Sequence, residues 1–173
     1  MKTTTKEPTT LRADARGAVY VEFLIVFLPL FVMFMSLVQF AFVQVANLVT
    51  KHAAVQAARA AIVVLPDDPA YYGNVPVNKV SGDRKTVIEA AARGRLLAVS
   101  SGFPDFKIKF PTSPGGDDDK TQYQQDDIVR VRVTYQYPCK IPIGARFVCN
   151  ILSQKKKLEA EAALPLQGAG YEY

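Results

Sequence analysis

A single histidine, His52, and two cysteines, Cys139 and Cys149, are the whole supply of imidazole and thiol in this chain of 173 residues. Two thiols and one distant imidazole do not make a tetrahedral ligand set, which argues against a zinc site. The sequence also lacks any metalloprotease, phosphate-loop, dinucleotide-binding or serine-nucleophile signature, so neither a cofactor nor catalysis is expected. Charge is missing from one long stretch: 28 consecutive residues, Phe23 to Thr50, carry none. A helix needs about 20 residues to cross a bilayer, so this stretch has the length of a membrane span. The nearest rival is a secretory signal peptide, whose apolar region runs roughly 7–15 residues and ends at a small-x-small site. The stretch is about twice that length and ends at no such site.

What is present divides sharply along the chain. The formal charge is +5, of which the leader, residues 1–17, supplies +2 through Lys2, Lys6, Arg12 and Arg16 against Glu7 and Asp14. Basic residues ahead of a span favour a cytoplasmic N-terminus, so the C-terminal part is expected outside. The leader itself is rich in Thr, Lys and Arg and is expected to be disordered. Cys139 and Cys149 stand ten apart, a spacing that suits one disulfide closing a small loop in an oxidising compartment.

The apolar run continues into a helix expected from about Ala18 to Val64, stopping before Pro66. At 1.5 Å per residue it is roughly 70 Å long, well beyond the bilayer, so its second half stands in water or packs on the domain. Pro29 lies inside it, where a kink or a loosened turn is expected. On a helical wheel Ser36, Gln39, Gln44, Asn47 and Thr50 share one stripe with Glu22, and Ala54, Ala57, Ala58 and Ala61 extend it. The opposite face is Phe, Leu, Val and Met. Small and polar faces of membrane helices usually pack on protein, so the stripe is expected to be a subunit-packing surface.

Residues 66–84 hold three prolines and several aspartates and are expected to form a loop. A second helix is expected over about Lys85 to Ser100, with Ser81 or Asp83 near its start and Ile88, Ala91, Ala92, Leu96 and Val99 on one face. The period then changes to two. Phe106, Ile108 and Phe110 alternate with lysines, Val129 to Tyr137 alternate with Arg130, Arg132, Thr134 and Gln136, and Leu158, Ala160 and Ala162 alternate with Glu159 and Glu161. A shorter strand is expected around Arg146 to Ile151, and a turn at Lys155 to Lys157. The fold class is therefore α+β: a long N-terminal membrane-spanning helix plus a small domain with a second helix packed on a three- to four-stranded antiparallel sheet. The organisation is a basic leader at 1–17, a transmembrane and assembly helix at 18–65, and an exported domain at 66–173.

Gly17 is followed by Ala18, Val19, Tyr20, Val21, Glu22 and Phe23, and there the apolar run begins. This resembles the processing site of type IV prepilin-like proteins, with Gly before the cut and Glu at the fifth position after it. The resemblance implies that a membrane aspartyl prepilin peptidase cuts after Gly17 and frees an amine on Ala18 close to Glu22. A carboxylate paired with that ammonium would lock the register of neighbouring helices. Without processing, Glu22 is simply a carboxylate near enough to the interface to reach water. The stretch from Glu22 and Phe23 to Pro29, and the extension from His52 to Ala61, resemble the TadE-like pseudopilins of tight-adherence (Flp-type) pilus systems. The tail from Leu158 through Leu164 to Tyr173 is similar to the closing strand and terminus of some members. One departure stands out: many members carry a second acid later in the span, where this chain has Gln39.

The resemblance implies a pseudopilin or minor pilin of the inner membrane, single-pass, with its domain in the periplasm. Its partners would be other pilin and pseudopilin subunits, the prepilin peptidase, the inner-membrane assembly platform and membrane lipid. The alternative is an uncleaved single-span anchor presenting a periplasmic binding module. Three further features have plainer readings. His52 is expected to be an interfacial structural residue, and Asp117, Asp118 and Asp119 a solvated loop that lacks the spaced ligands of a calcium site. Lys107, Lys109, Arg130 and Arg132 alternate on strands beside Glu159 and Glu161, which argues for a wet sheet face and no nucleic acid.

Overall fold

A computed structural model describes residues 17–150 and 152–166. The expectations for the leader before Gly17, for Ile151 and for the tail from residue 167 lie outside the described residues. The elements in chain order are α1 (Ala18–Val64), a 3-10 turn (Pro69–Tyr72), α2 (Gly82–Leu96), β1 (Phe106–Lys109), β2 (Ile128–Pro138), α3 (Pro142–Val148) and β3 (Lys155–Pro165). The three strands form one antiparallel sheet in the order β1-β2-β3, with Val133 opposite both Ile108 and Ala160. The chain is thus α+β.

α1 is a single helix of 47 residues that contains Pro29 without ending there. Its residues fall into two regimes. Every side chain from Ala18 to Leu30 is exposed. From Gln39 onward a seam is buried: Gln39, Val43, Ala46, Thr50, Ala53, Ala54, Ala57, Ala58, Ala61 and Val64. Steps of three and four along this seam keep it on one side of the helix. Its alanines present no side chain beyond Cβ, so other elements approach the helix backbone closely. The inner face of the sheet does so with Val129, Val131, Val133, Tyr135, Tyr137, Leu158 and Ala160, and α2 does so with Ile88, Ala92 and Leu96. The helix that covers the sheet is therefore chiefly α1. α2 lies along α1 and meets the sheet at its rim, where the Arg93 guanidinium is 5.7 Å from the Phe106 ring centre.

The end of α1 shows what the sequence hides. The last carbonyls of a helix have no partner within it. Here the Val64 carbonyl accepts from Arg84 Nη1, and the Leu65 carbonyl accepts from the Asn78 N–H at 2.7 Å. The same guanidinium donates to the Asp67 carbonyl at 2.8 Å and to the Val75 carbonyl at 3.2–3.3 Å, and lies 4.6 Å from the centre of the Tyr72 ring. Arg84 is fully buried although it sits in the first turn of α2, where the helix dipole disfavours a cation. The C-terminal carbonyls of α1 supply the opposite end of a dipole, and direct hydrogen bonds to them outweigh the unfavourable position.

Two local expectations need correction. The segment from Arg146 is helical, not extended, because α3 covers Pro142–Val148. Cys139 and Cys149 are joined by a disulfide with Cα atoms 6.7 Å apart. Ten extended residues would span roughly 33 Å, so the loop must wind, and Pro142 supplies a ready-made φ for a first helical turn. Lys155, Lys156 and Lys157 do not form the turn; they begin β3, opposite Pro138, Tyr137 and Gln136. The reversal falls earlier, closing at Gln154 with φ +49°. The second helix also starts and stops three to four residues earlier than its pattern suggests, with Ser81 at the N-cap but no side-chain cap.

Substituting Arg84→Ala strips three carbonyls of a buried charged donor and is expected to destabilise the fold by about 3 kcal/mol. Arg84→Lys, which cannot fork between them, should recover only part of that. Thermal unfolding of the detergent-solubilised chain, followed by circular dichroism, measures both; an unchanged midpoint for Arg84→Ala would contradict the assignment.

Candidate processing site and helix face

Gly17 directly precedes α1, is exposed, and has no atom within 4 Å of where a Cβ would stand. Ala18, Glu22 and Phe23 follow on the first two turns and are exposed as well. No side chain caps this end of the helix. Among the described residues, none packs over the segment Gly17 to Phe23. Phe23, Phe27 and Phe31 stack along one edge with ring centres 5.2 and 5.7 Å apart.

The polar stripe has a different fate from the one its polarity suggests. Ser36 Oγ donates to the Val32 carbonyl and Thr50 Oγ1 to the Ala46 carbonyl, each at 2.8 Å, so both hydroxyls are satisfied by their own helix. Ala54, Ala57, Ala58 and Ala61 are buried by the chain's own α2 and sheet and are not left open for another subunit. Asn47 is half-buried and Gln44 is exposed.

Gln39 is fully buried, and here the structure brings two sequence features together. Its Oε1 accepts from the Ile141 N–H at 3.0 Å, and its Nε2 lies 4.0 Å from Cys149 Sγ. The side chain therefore ties the disulfide loop to the helix. A carboxylate could accept the first contact but would have to be buried with its charge unpaired there; the amide accepts and donates without that cost. Gly144 makes the approach possible. A Cβ at that position would come within 2.6 Å of the Met35 carbonyl oxygen and 2.8 Å of Gln39 Cβ. Sequence reasoning singled out Gln39 and both cysteines but not their meeting, and it missed Arg84, which looks like any surface arginine in sequence.

Several of the remaining charged groups serve the domain's own turns and strands. Asp118 accepts from the Thr112 N–H at 2.8 Å and from its hydroxyl, Asp119 accepts from the Phe110 N–H at 2.8 Å, and Asp117 pairs with Lys109 at 2.8 Å. Among the described residues no group of three or more His, Cys, Asp or Glu could hold a metal ion. On the outer sheet face Arg132 pairs with the directly opposite Glu161 at 2.9 Å, and Arg130 approaches the same carboxylate at 4.0 Å. A shallow groove of about 330 Å³ crosses this face between Lys107, Arg132, Lys157 and Glu159. His52 is exposed.

Fold and site together define a helix-tailed α+β protein whose long apolar N-terminal helix is compatible with single-pass membrane anchoring. More particularly, residues 17–59, which carry both the candidate cut site and most of the alanine seam, match the model of the family described as TadE-like protein. The match begins at Gly17 and covers about a quarter of the chain. No curated protein and no solved structure matches the chain significantly.

Two outcomes follow. Thiol labelling of exported protein should require prior reduction, and equal labelling with and without reductant would contradict the Cys139–Cys149 bond. Hydrogen bonds also set the acid response. The Arg132 hydrogen bond holds Glu161 below the usual carboxylate range, and the Thr112 hydroxyl and N–H do the same for Asp118. A depressed folded pKa contributes stability that is complete above the unfolded value, about 4, and is lost as pH falls through the folded one. The unfolding midpoint should therefore be flat at neutral pH and fall on acidification below about pH 4. Glu161→Gln should reduce that acid-dependent loss.

Proposed function

We propose that the chain is a pseudopilin, or minor pilin, acting in assembly of a tight-adherence pilus after removal of residues 1–17 by a prepilin peptidase. The match of residues 17–59 to the TadE-like model supports involvement with that pilus. The observation that carries the finer reading is the state of Gly17 to Leu30: a bare, fully exposed helix start with Gly17 just ahead of it and one carboxylate, Glu22, in its second turn. A peptidase needs an accessible, unpacked backbone at its cut, and the exposure of Gly17 among the described residues supports that access.

Two features support assembly over simple anchoring: the rest of the chain leaves the apolar faces of the N-terminal half-helix free, and a carboxylate, Glu22, stands among them. A carboxylate at the head of a span is disfavoured unless it reaches water or a cation, and the amine of Ala18 freed by cleavage is such a cation. In this reading the neighbouring subunit's Glu22 meets that amine and sets the axial register. The partners are other pilin-like subunits, the peptidase and the inner-membrane platform; no catalytic role is proposed.

The N-terminus of protein recovered from membranes of a host with its peptidase decides the matter by mass spectrometry. A chain beginning at Ala18 is expected. An intact Met1 supports an uncleaved anchor and overturns the proposal. Glu22→Ala should leave insertion intact and abolish co-purification with other subunits, whereas unchanged association would contradict the register role.

A further inference from the structure

The domain that follows the half-helix carries exposed apolar side chains at one end of the sheet. β2 runs toward Pro138 and Cys139, and the disulfide loop there packs on α1 through Gly144 at Met35 and through Ile141 at Gln39. The other end, near Asp127 and Leu166, adjoins the far end of α1 through Tyr123, Asn78 and Leu65. The loop end is therefore the one nearer the N-terminal half-helix. It also carries the two most exposed large apolar side chains, Leu152 and Phe103. Phe147 is 71% exposed and Leu152 96%, and Phe103, also at this end, is 94% exposed. The Asp105 to Lys155 ion pair at 3.3 Å places the approach to β1 beside the start of β3.

Helix length fixes the level of this surface. The hydrocarbon core takes about 20 helical residues, which end near Leu37 if counted from Ala18 and near Phe42 if counted from Phe23. Met35 lies inside the span by either count. α3, seated on Met35, is therefore level with the outer leaflet and not above it. Between α1 and α3 runs a depression of about 340 Å³ lined by Val32, Pro142, Ile143, Phe147 and Arg146. Its wall continues the exposed apolar surface of the half-helix, and a guanidinium stands at its edge.

Charge agrees with this placement. From Ile128 to Leu158 there is no Asp or Glu, while Lys140, Arg146, Lys155, Lys156 and Lys157 cluster around the loop. Among the described residues Lys140, Arg146 and Lys156 form no ion pair. Apolar side chains ringed by lysine and arginine match an anionic headgroup layer over acyl chains.

We propose that the disulfide loop is a second membrane contact: Ile143, Phe147 and Leu152 enter the outer leaflet, an acyl chain occupies the α1–α3 depression, and Arg146 binds the lipid phosphate. This rests on reading α1 as a membrane span. The bilayer then holds the head against the helix at two points, and the head has a fixed face toward the membrane before any assembly.

The chain has no tryptophan, so single substitutions give clean reporters. The full chain is reconstituted in bilayers containing phosphatidylglycerol and acyl-brominated phosphatidylcholine. Phe27→Trp reports the span, Phe147→Trp and Leu152→Trp the loop, and Tyr71→Trp, 78% exposed at the far end of α1, the water phase. Expected are blue-shifted emission and loss of more than half of the intensity for Phe27→Trp and Phe147→Trp, a smaller loss for Leu152→Trp, and none for Tyr71→Trp. Arg146→Gln should weaken the Phe147→Trp quenching in anionic bilayers and leave it unchanged in zwitterionic ones. Quenching of Phe27→Trp without that of either loop reporter overturns the second contact and leaves the span standing. An unquenched Phe27→Trp overturns the span reading itself. A loop reporter that is blue-shifted but unquenched, and only at high protein density, assigns the surface to a second copy of the chain and overturns the lipid contact.

Discussion

The carbonyls at the end of α1 need donors, and the way Arg84 meets that need organises the head around it. One guanidinium, reaching back from the first turn of α2, binds the helix terminus at Val64 and the following loop at Asp67 and Val75. Those contacts bring α2 alongside α1 and fold the proline-rich loop between them. With α2 in place, one flank of the alanine seam is covered and the sheet takes the other. A buried cation is costly unless its donors are satisfied. Here three carbonyls, a helix dipole and an aromatic face share it, so the cost becomes specificity for one arrangement of the two helices.

The second constraint is that α1 has to serve two solvents. Its first half offers large apolar side chains on every side, as a lipid-exposed helix does. Its second half offers alanine toward the protein, which is what close packing of a sheet and a helix on one spine requires. The change occurs between Phe31 and Gln39 with no break in the helix. Gln39 marks the boundary. A polar side chain at that depth is tolerated because the disulfide loop covers it and supplies both of its partners.

Much of this was legible in the sequence. Gly17 and Pro66 bracket the helix as expected, and the period-two runs of β2 and β3 have the register that puts Arg132 opposite Glu161. The parts that were not legible share a physical cause. Each depends on a contact between segments distant in sequence. Arg84 is a charged residue in a polar stretch, and its burial follows from carbonyls twenty residues away. The loop from Lys140 to Asn150 has no clear period, because its shape is set by the Cys139–Cys149 closure and by Gly144 against Met35. The stripe on α1 was recognised as a packing surface, but most of its lower part is used by the chain's own head. For the candidate cut site, sequence and structure speak to different halves: the residue pattern suggests the chemistry, and the exposure of Gly17 describes the access.

The unbroken helix has a mechanical consequence. With no linker between the apolar half and the alanine seam, the head has no swivel, and whatever turns or tilts the N-terminal half turns the sheet with it. An axial pull reaches the head as shear along a seam about seven turns long, so its contacts share the load together. The same force applied across the helix would open them in sequence, beginning where the disulfide loop meets Met35. The molecule is therefore stiff along the helix axis and weakest sideways at that loop.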